Sequence, residues 1–410
     1  MKKQLVIEGG NVPFIKQEFD LGATYSEEES AAIQEVISSG TISGFVANSG
    51  QKFFGGPKVI ELEQLFKEYF DVDYAVASNS ATSSLHCAIS SLGIGPGDEV
   101  IVPALSMSAS ATSIIMSGAT PVFIDIEDSS STSFNLNASQ LKEKLSDKTK
   151  AILVVHLFGI PAQMDEVMLF AKENNLFVIE DCAQSPGILF NSKYTGTLGD
   201  VGIFSFNQSK TMSSGEGGVA IAKDENVALR MQLMRNHAEA MIEDFPQAKM
   251  ENLIGYNYRI TDLEAAVAIE QFKKLDKFNS RKIDLANEFS IRLEKIEGLR
   301  GINKILSKEN AVFIYPIIFQ KEFFSVDRDY FVEACQKEGI PLVPGYTKPI
   351  VDLPLFKDYL GKDDFENARS LHYERLISAK FCHHKNVSNQ DIDMISDAIE
   401  YVVSLLKKKD

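Results

Sequence analysis

Between about residues 60 and 225, short and nearly continuous apolar runs alternate with segments of helical spacing. The runs are Ala75-Val-Ala77, Glu99-Val-Ile-Val102, Pro121-Val-Phe-Ile-Asp125, Ala151-Ile-Leu-Val-Val155, Leu176-Phe-Val-Ile179, Gly202-Ile-Phe-Ser-Phe206 and Gly218-Val-Ala-Ile-Ala222. Strands that are apolar throughout, without alternation, belong to a sheet covered on both faces. The segments between them read as helices over 80–92, 108–117, 138–145 (with Asn137 as cap) and 163–174. Strands and helices in turn give an α/β layer with a mostly parallel sheet.

Beyond this region the pattern changes. A long helical stretch covers 261–298, followed by the apolar run 312–318, a helix over 326–338 and a last helix over 389–408. A chain of 410 residues also exceeds the size at which single cores stop growing. We expect residues 36–280 to form a large domain, residues 281–410 a smaller α+β domain, and residues 1–35 a segment packing with the smaller one.

With 44% apolar and 24% charged residues the composition is that of a globular protein. The net charge of −16 disfavours nucleic acid and anionic membrane as main partners, since both repel it. No apolar run approaches a membrane span, and the start of the chain lacks the core of a signal peptide. Cys87, Cys182, Cys335 and Cys382 show no paired metal spacing, and the first three, set among apolar residues, read as buried thiols. The expected location is the cytoplasm.

In parallel α/β sheets reactive groups collect beyond the carboxyl ends of the strands. Asp181 sits there, after Phe177-Val-Ile-Glu180. A carboxylate in that place needs a partner. Two readings stand: an ion pair or helix cap, and the partner of the protonated ring nitrogen of a pyridine cofactor. Lys210 follows the run 202–206 and precedes the turn Gly215-Glu-Gly-Gly218. It reads either as an ordinary solvated lysine or as a desolvated amine able to attack a carbonyl. Asp181 and Lys210 explain each other, one holding a ring and the other an aldehyde. Ser78-Asn-Ser-Ala-Thr-Ser-Ser84 opens the helix after the first strand, where free amides and the hydroxyls of Thr82 and Ser83 would receive a phosphate.

Other features carry less. Gly93-Ile-Gly-Pro-Gly97 precedes a strand where a dinucleotide loop would follow one. His383-His384 has no ligand cluster nearby, Asp125-Ile-Glu-Asp128 lacks calcium-loop spacing, and Lys407-Lys-Lys409 reads as a solvated tail. The serines at 129–131 and 133 read as a loop.

The sequence resembles the DegT/StrS-type sugar aminotransferases, a fold-type I group dependent on pyridoxal 5'-phosphate. The resemblance is carried by Leu92-Gly-Ile-Gly-Pro-Gly-Asp-Glu-Val-Ile-Val-Pro103, Pro121-Val-Phe-Ile-Asp125, Val155-His-Leu-Phe-Gly159, Val178-Ile-Glu-Asp-Cys-Ala-Gln184, the stretch from Ser205 to Gly218, and Gly255-Tyr-Asn-Tyr-Arg-Ile-Thr-Asp-Leu-Glu-Ala-Ala266. It implies that Lys210 is the Schiff-base lysine and proton shuttle, and Asp181 the partner of the ring nitrogen. Gln184 would lie by the cofactor's 3-hydroxyl. Ser205, Thr82 and Ser83 would contact the phosphate, and Asn257 would reach the phosphate of a neighbouring subunit, in a homodimer with composite active sites. The role of Glu216, beside the lysine loop, stays open.

Two positions depart from the pattern. Ala81 precedes Thr82 where glycine is commoner, and Met107 stands where an aromatic ring often stacks on the cofactor. A thioether can pack on the ring face, so cofactor binding survives while the pocket shape changes. The implied activity is transfer of an amino group from L-glutamate to a keto or aldehyde sugar, usually nucleotide-linked. Sugar dehydratases of the same fold carry histidine in place of the lysine, which Lys210 argues against. An idle regulatory relative would have little use for Lys210, Asp181, Gln184 and the phosphate cup together.

Overall fold

The structure, a computed structural model, describes residues 4–19, 25–48, 50–128, 133–241, 244–245, 254–302, 306–310, 312–379, 381 and 387–408. Cys382, His383-His384 and the serines at 129–131 lie outside these residues.

Seven described strands form the main sheet: β1 (Tyr74–Ser78), β2 (Glu99–Pro103), β3 (Thr120–Ile124), β4 (Thr149–Val155), β5 (Phe177–Asp181), β8 (Val201–Ser205) and β9 (Gly218–Ala222). A two-stranded ribbon, β6 (Leu189–Phe190) with β7 (Lys193–Tyr194), stands apart from it. The sheet order is β1-β9-β8-β5-β4-β2-β3. All neighbouring pairs from β8 to β3 are parallel, and β9 runs antiparallel to both β8 and β1. The strands are buried almost end to end, as their uninterrupted apolar character requires.

Helices flank the sheet, in chain order α1 (Glu27–Ser38), α2 (Pro57–Phe70), α3 (Ala81–Ser91), α4 (Ala109–Met116), α5 (Leu141–Lys144), α6 (Met164–Glu173), α7 (Glu225–Arg235), α8 (Asp262–Lys273) and α9 (Leu275–Leu293), with α1 packed on α8 and α9 on the C-terminal helix. A second sheet, antiparallel throughout, has the order β10 (Leu299–Arg300), β11 (Tyr315–Phe319), β13 (Leu376–Ala379), β12 (Leu342–Pro344). It is accompanied by α10 (Arg328–Lys337), α11 (Glu366–Ser370) and α12 (Asn389–Leu406). The fold is that of the fold-type I transferases, a mostly parallel sheet flanked by helices beside a small antiparallel sheet. One apolar cluster runs from Val102 on the main sheet, through Phe158 and Phe313 in connecting segments, to Ile317 and Leu376 on the second, so the two sheets share a core.

The helical stretch expected over 261–298 is two helices, broken at Lys274. Neither proline nor glycine lies at the break. Lys274 there turns its Nζ onto Glu29 Oε1 of α1 at 2.8 Å and Ser26 Oγ at 2.5 Å. This is a tertiary contact that helical periodicity does not display. The region expected as a helix over 138–145 is a 3-10 turn followed by four α-helical residues.

Register decides where the chemistry gathers. Ser78 at the end of β1, Gly218 at the start of β9 and Ser205 at the end of β8 stand in one row, and Asp181 ends β5 two strands from β9. Because β9 is antiparallel, its first residue meets the carboxyl ends of its neighbours. Gly218 is required there by close approach: a Cβ would lie 2.5 Å from the amide nitrogen of Ala81, the first residue of α3. The absent side chain lets the start of α3 sit directly on the sheet edge.

Candidate active site

A cleft of about 590 Å³ opens at this edge, between the two sheets. From the sequence-derived set it is lined by Thr82, Met107, Asp181, Gln184, Ser205, Lys210 and Glu216. Phe313, Ile314, Tyr346 and Thr347 close it from the side of the smaller sheet.

Lys210 lies in the tight connection between β8 and β9. The two sides of that connection are tied by Phe206 N–H to Gly217 O at 2.9 Å and Gln208 N–H to Gly215 O at 2.9 Å. The Asn207 side chain fixes its base, accepting from Ser209 N–H at 3.1 Å and donating to Glu216 Oε1 at 3.1 Å. Glu216 thus holds the lysine loop together. Lys210 itself donates its amide to Asn207 O at 2.8 Å and places Nζ 4.8 Å from the centroid of the Phe313 ring. Burial of the amine lowers its pKa from the usual lysine value, and the attraction of Asp181 opposes that shift without cancelling it.

Asp181 is 5% exposed. Its Oδ2 accepts from Ser110 Oγ at 3.0 Å and its Oδ1 from the Ala183 amide at 3.1 Å. These donors aim the carboxylate, while leaving acceptor capacity on both oxygens. Ser110, on α4, was not legible from the sequence, because only folding brings α4 over the end of β5. Gln184 is buried, with Oε1 accepting the Phe158 amide at 2.8 Å and Nε2 donating to Tyr346 Oη at 3.2 Å. Since the Phe158 amide can only donate, the carboxamide orientation is fixed, and its NH₂ is what Gln184 offers toward Tyr346 and the cleft. Burial, with Asp181 nearby, pushes the Tyr346 hydroxyl far up, so it stays protonated.

At the start of α3, Ser80 caps the helix by accepting the Ser83 amide at 3.1 Å. Ala81 and Thr82 line the cleft, while Ser83 Oγ donates to Asn79 Oδ1 at 2.6 Å and does not line it. Ser205 lines the cleft and its Oγ accepts the Asn207 amide at 3.3 Å. Met107 is 53% exposed at the cleft wall. Asn257 is exposed and lies away from this cleft, bridged to Asn236.

A sequence model of the DegT/DnrJ/EryC1/StrS aminotransferase family matches residues 36–400. The chain belongs to this family. Among relatives of this aminotransferase, GDP-perosamine synthase of Caulobacter vibrioides is 32% identical over 348 residues, which span 85% of this chain and 91% of that one. UDP-4-amino-4,6-dideoxy-N-acetyl-beta-L-altrosamine transaminase of Campylobacter jejuni is 32% identical, covering 86% and 92% of the two chains. The X-ray structure of the aminotransferase from Psychrobacter cryohalolentis superposes with a TM-score of 0.82 at 26% identity, covering 95% of this chain and 99% of that one. The protein is a pyridoxal-phosphate-dependent aminotransferase.

The residues present fit that cofactor. Asp181 suits a protonated pyridine nitrogen, the start of α3 with Thr82 and Ser205 suits a phosphate, and the lowered Lys210 amine suits an aldehyde. The Ser106 hydroxyl, 1% exposed and lining the same cleft, has no partner among the described residues, as expected of a group that faces a ligand.

A buried trio behind the cleft, His156, Glu180 and Cys182, has the composition of a metal site. Its groups are already satisfied. His156 Nδ1 accepts the Ala162 amide at 3.1 Å, so Nε2 carries the proton and donates to Glu180 Oε2 at 3.0 Å. Glu180 further accepts the amides of Gly196, Leu198 and Gly199 at 2.9, 2.8 and 2.6 Å. Burial raises the Cys182 thiol well above its usual range, against the thiolate a metal would need. No helix among the described residues is long and apolar enough to cross a membrane.

Proposed function

We propose that this aminotransferase carries an amino group from L-glutamate to the carbonyl of a keto or aldehyde sugar, nucleotide-linked, for surface-polysaccharide or secondary-metabolite biosynthesis. It works in the cytoplasm as a homodimer with composite sites. The observation that carries the reading is the half-buried Lys210, its amine facing Asp181 across a cleft whose floor is a helix start. The names of the relatives, a GDP-perosamine synthase and a UDP-aminosugar transaminase, support a sugar as acceptor.

When bound, pyridoxal phosphate supplies the carbon that carries the amino group between substrates and a ring that accepts electrons. The chain's residues do the rest. Asp181, aimed by Ser110, keeps the ring nitrogen protonated. Gln184 donates its NH₂ to the ring's oxygen substituent. Thr82, Ser205 and the first amides of α3 hold the phosphate. Ser83 supports that helix start, its own proton being committed to Asn79. Met107 would pack against the ring, and Asn257 of a second subunit would complete the phosphate site. Lys210 is the residue that would hold the cofactor through its aldehyde between turnovers. With the cofactor in place, the Nζ of Lys210 would take the proton from the donor's α-carbon and return it in the course of the transfer. Burial lowers the pKa of that nitrogen from the usual lysine value, which eases its loss of a proton.

The purified protein is expected to be yellow, and borohydride is expected to fix the cofactor on the peptide carrying Lys210. In a separate sample not treated with borohydride, L-glutamate should bleach the visible band and release 2-oxoglutarate without any sugar present. An adduct elsewhere, or no response to any amino donor, overturns the reading. The acceptor is identified by mass spectrometry after offering the glutamate-treated enzyme GDP-, UDP- and dTDP-linked keto sugars.

A further inference from the structure

Phe158 is fully buried, does not line the cleft, and has a backbone no phenylalanine prefers, with φ 60° and ψ 9°. Left-handed backbone at a bulky residue persists only where the surroundings over-determine it. Here they do. His156 Nδ1 accepts the Ala162 amide, and Nε2 is locked on Glu180. Asn135, 1% exposed, closes the loop from the other side, accepting from Leu157 N–H at 2.8 Å and donating to Ile160 O at 3.0 Å. Every one of these anchors is buried.

The strained residue touches both walls of the cleft through its own backbone. Its N–H goes to Gln184 Oε1 at 2.8 Å, and its C=O accepts the Phe313 amide at 2.6 Å. The Phe313 ring is the one that Lys210 faces. The Phe158 ring meets that of Tyr346 edge to face at 5.2 Å, and Tyr346 is the second partner of Gln184. With right-handed or extended backbone the N–H and C=O of residue 158 would point elsewhere, and both contacts would be lost together.

We propose that Phe158 is a positioning residue of the lysine site: its left-handed backbone, clamped by His156 and Asn135, fixes the donor side of Gln184 and the aromatic wall beside Lys210 in a single residue. The inference rests on reading Lys210 as the reacting amine. It predicts that the wall's dryness, and with it the protonation of Lys210, depends on the backbone of residue 158 more than on its ring.

The test uses the cofactor-free full chain, so its failure is separable from that of the borohydride experiment. The Lys210 amine is labelled with acetic anhydride across a pH series and the Lys210 peptide is quantified by mass spectrometry. Phe158→Gly adopts the left-handed region freely and is expected to keep the midpoint, with labelling within about threefold of wild type below it. Phe158→Val, whose branched side chain resists that region, is expected to raise the midpoint by about one unit, which is about tenfold slower labelling below it. A folded valine variant with the wild-type profile, or a glycine variant shifted as far as the valine one, overturns the proposal. Phe313→Leu and Phe313→Ala decide the matter if the valine variant does not fold. Leucine keeps the wall dry without a ring face for the ammonium and should lower the midpoint, whereas alanine admits water and should raise it. No shift in either variant also overturns the proposal.

Discussion

Lys210 is poised by two opposed forces. Burial lowers the pKa of its amine, Asp181 pulls the other way, and burial prevails. That has a consequence for the stability of the cofactor-free protein. The folded value lies below the usual 10.5, so between the two the unfolded chain holds a proton that the folded chain has released. Stability therefore rises with pH across that window, and the burden of a buried ammonium is greatest below it. In Lys210→Met this dependence disappears. The stability of the methionine variant relative to wild type is expected to decline as pH rises from neutral toward the lysine range, as read from thermal melts of both cofactor-free proteins. A pH-independent difference would mean that Lys210 titrates normally. At Asp181 the argument is electrostatic. Asp181→Asn keeps the size and one acceptor for Ser110, but cannot hold a proton on the ring nitrogen. Its transamination rate is expected to fall by roughly 100- to 1,000-fold, the scale of losing one preorganised partner of developing charge, with cofactor still bound and visible.

At the scale of elements, the site is a matter of strand ends brought level. The strands were legible because a buried parallel sheet writes itself as unbroken apolar runs, and Asp181 and Lys210 could be placed because each follows such a run, whereas Ser205, inside one, was singled out only by the family resemblance. The partners Ser110, Phe313 and Tyr346 were not legible. They arrive from α4 and from the second sheet, at sequence distances where periodicity carries no signal. The break at Lys274 was equally hidden, and the contact its side chain makes there, with Glu29 on α1, is likewise distant in sequence. The glycine run after Lys210 read as a turn, and one of its glycines has a sharper duty. Gly218 admits the start of α3 to the sheet edge, and a methyl group there would meet the Ala81 amide at 2.5 Å. Gly218→Ala must push α3 outward, taking Thr82 and its amide out of line with Ser205. Overpacking of this kind costs about 1–3 kcal/mol. The variant should melt lower and bind pyridoxal phosphate about tenfold more weakly, by fluorescence titration, than wild type. Unchanged affinity would place the phosphate away from α3.

The whole molecule raises the question of Asn257. It is exposed and does not line the cleft of its own chain, and its backbone bridges to Asn236, whose Oδ1 accepts from Arg259 at 2.9 Å and whose Nδ2 donates to Phe53 O at 3.0 Å. A polar side chain presented away from its own site suits delivery to a second copy across an isologous contact. If each site takes Lys210 from one subunit and Asn257 from the other, two inactive proteins can repair each other. Lys210→Ala and Asn257→Asp are each expected to be nearly inactive as homodimers, the second because a carboxylate repels the phosphate. In a mixed dimer, one site combines both defects and the other combines Lys210 of the aspartate variant with Asn257 of the alanine variant. That second site is wild type in composition. Random mixing puts half of the dimers in the mixed form with one good site in two, so about a quarter of wild-type activity should return after dissociation and reassociation of equal amounts. Mass spectrometry of the intact dimers verifies that mixing has occurred. Mixed dimers without regained activity would show that Asn257 serves its own chain's site or none.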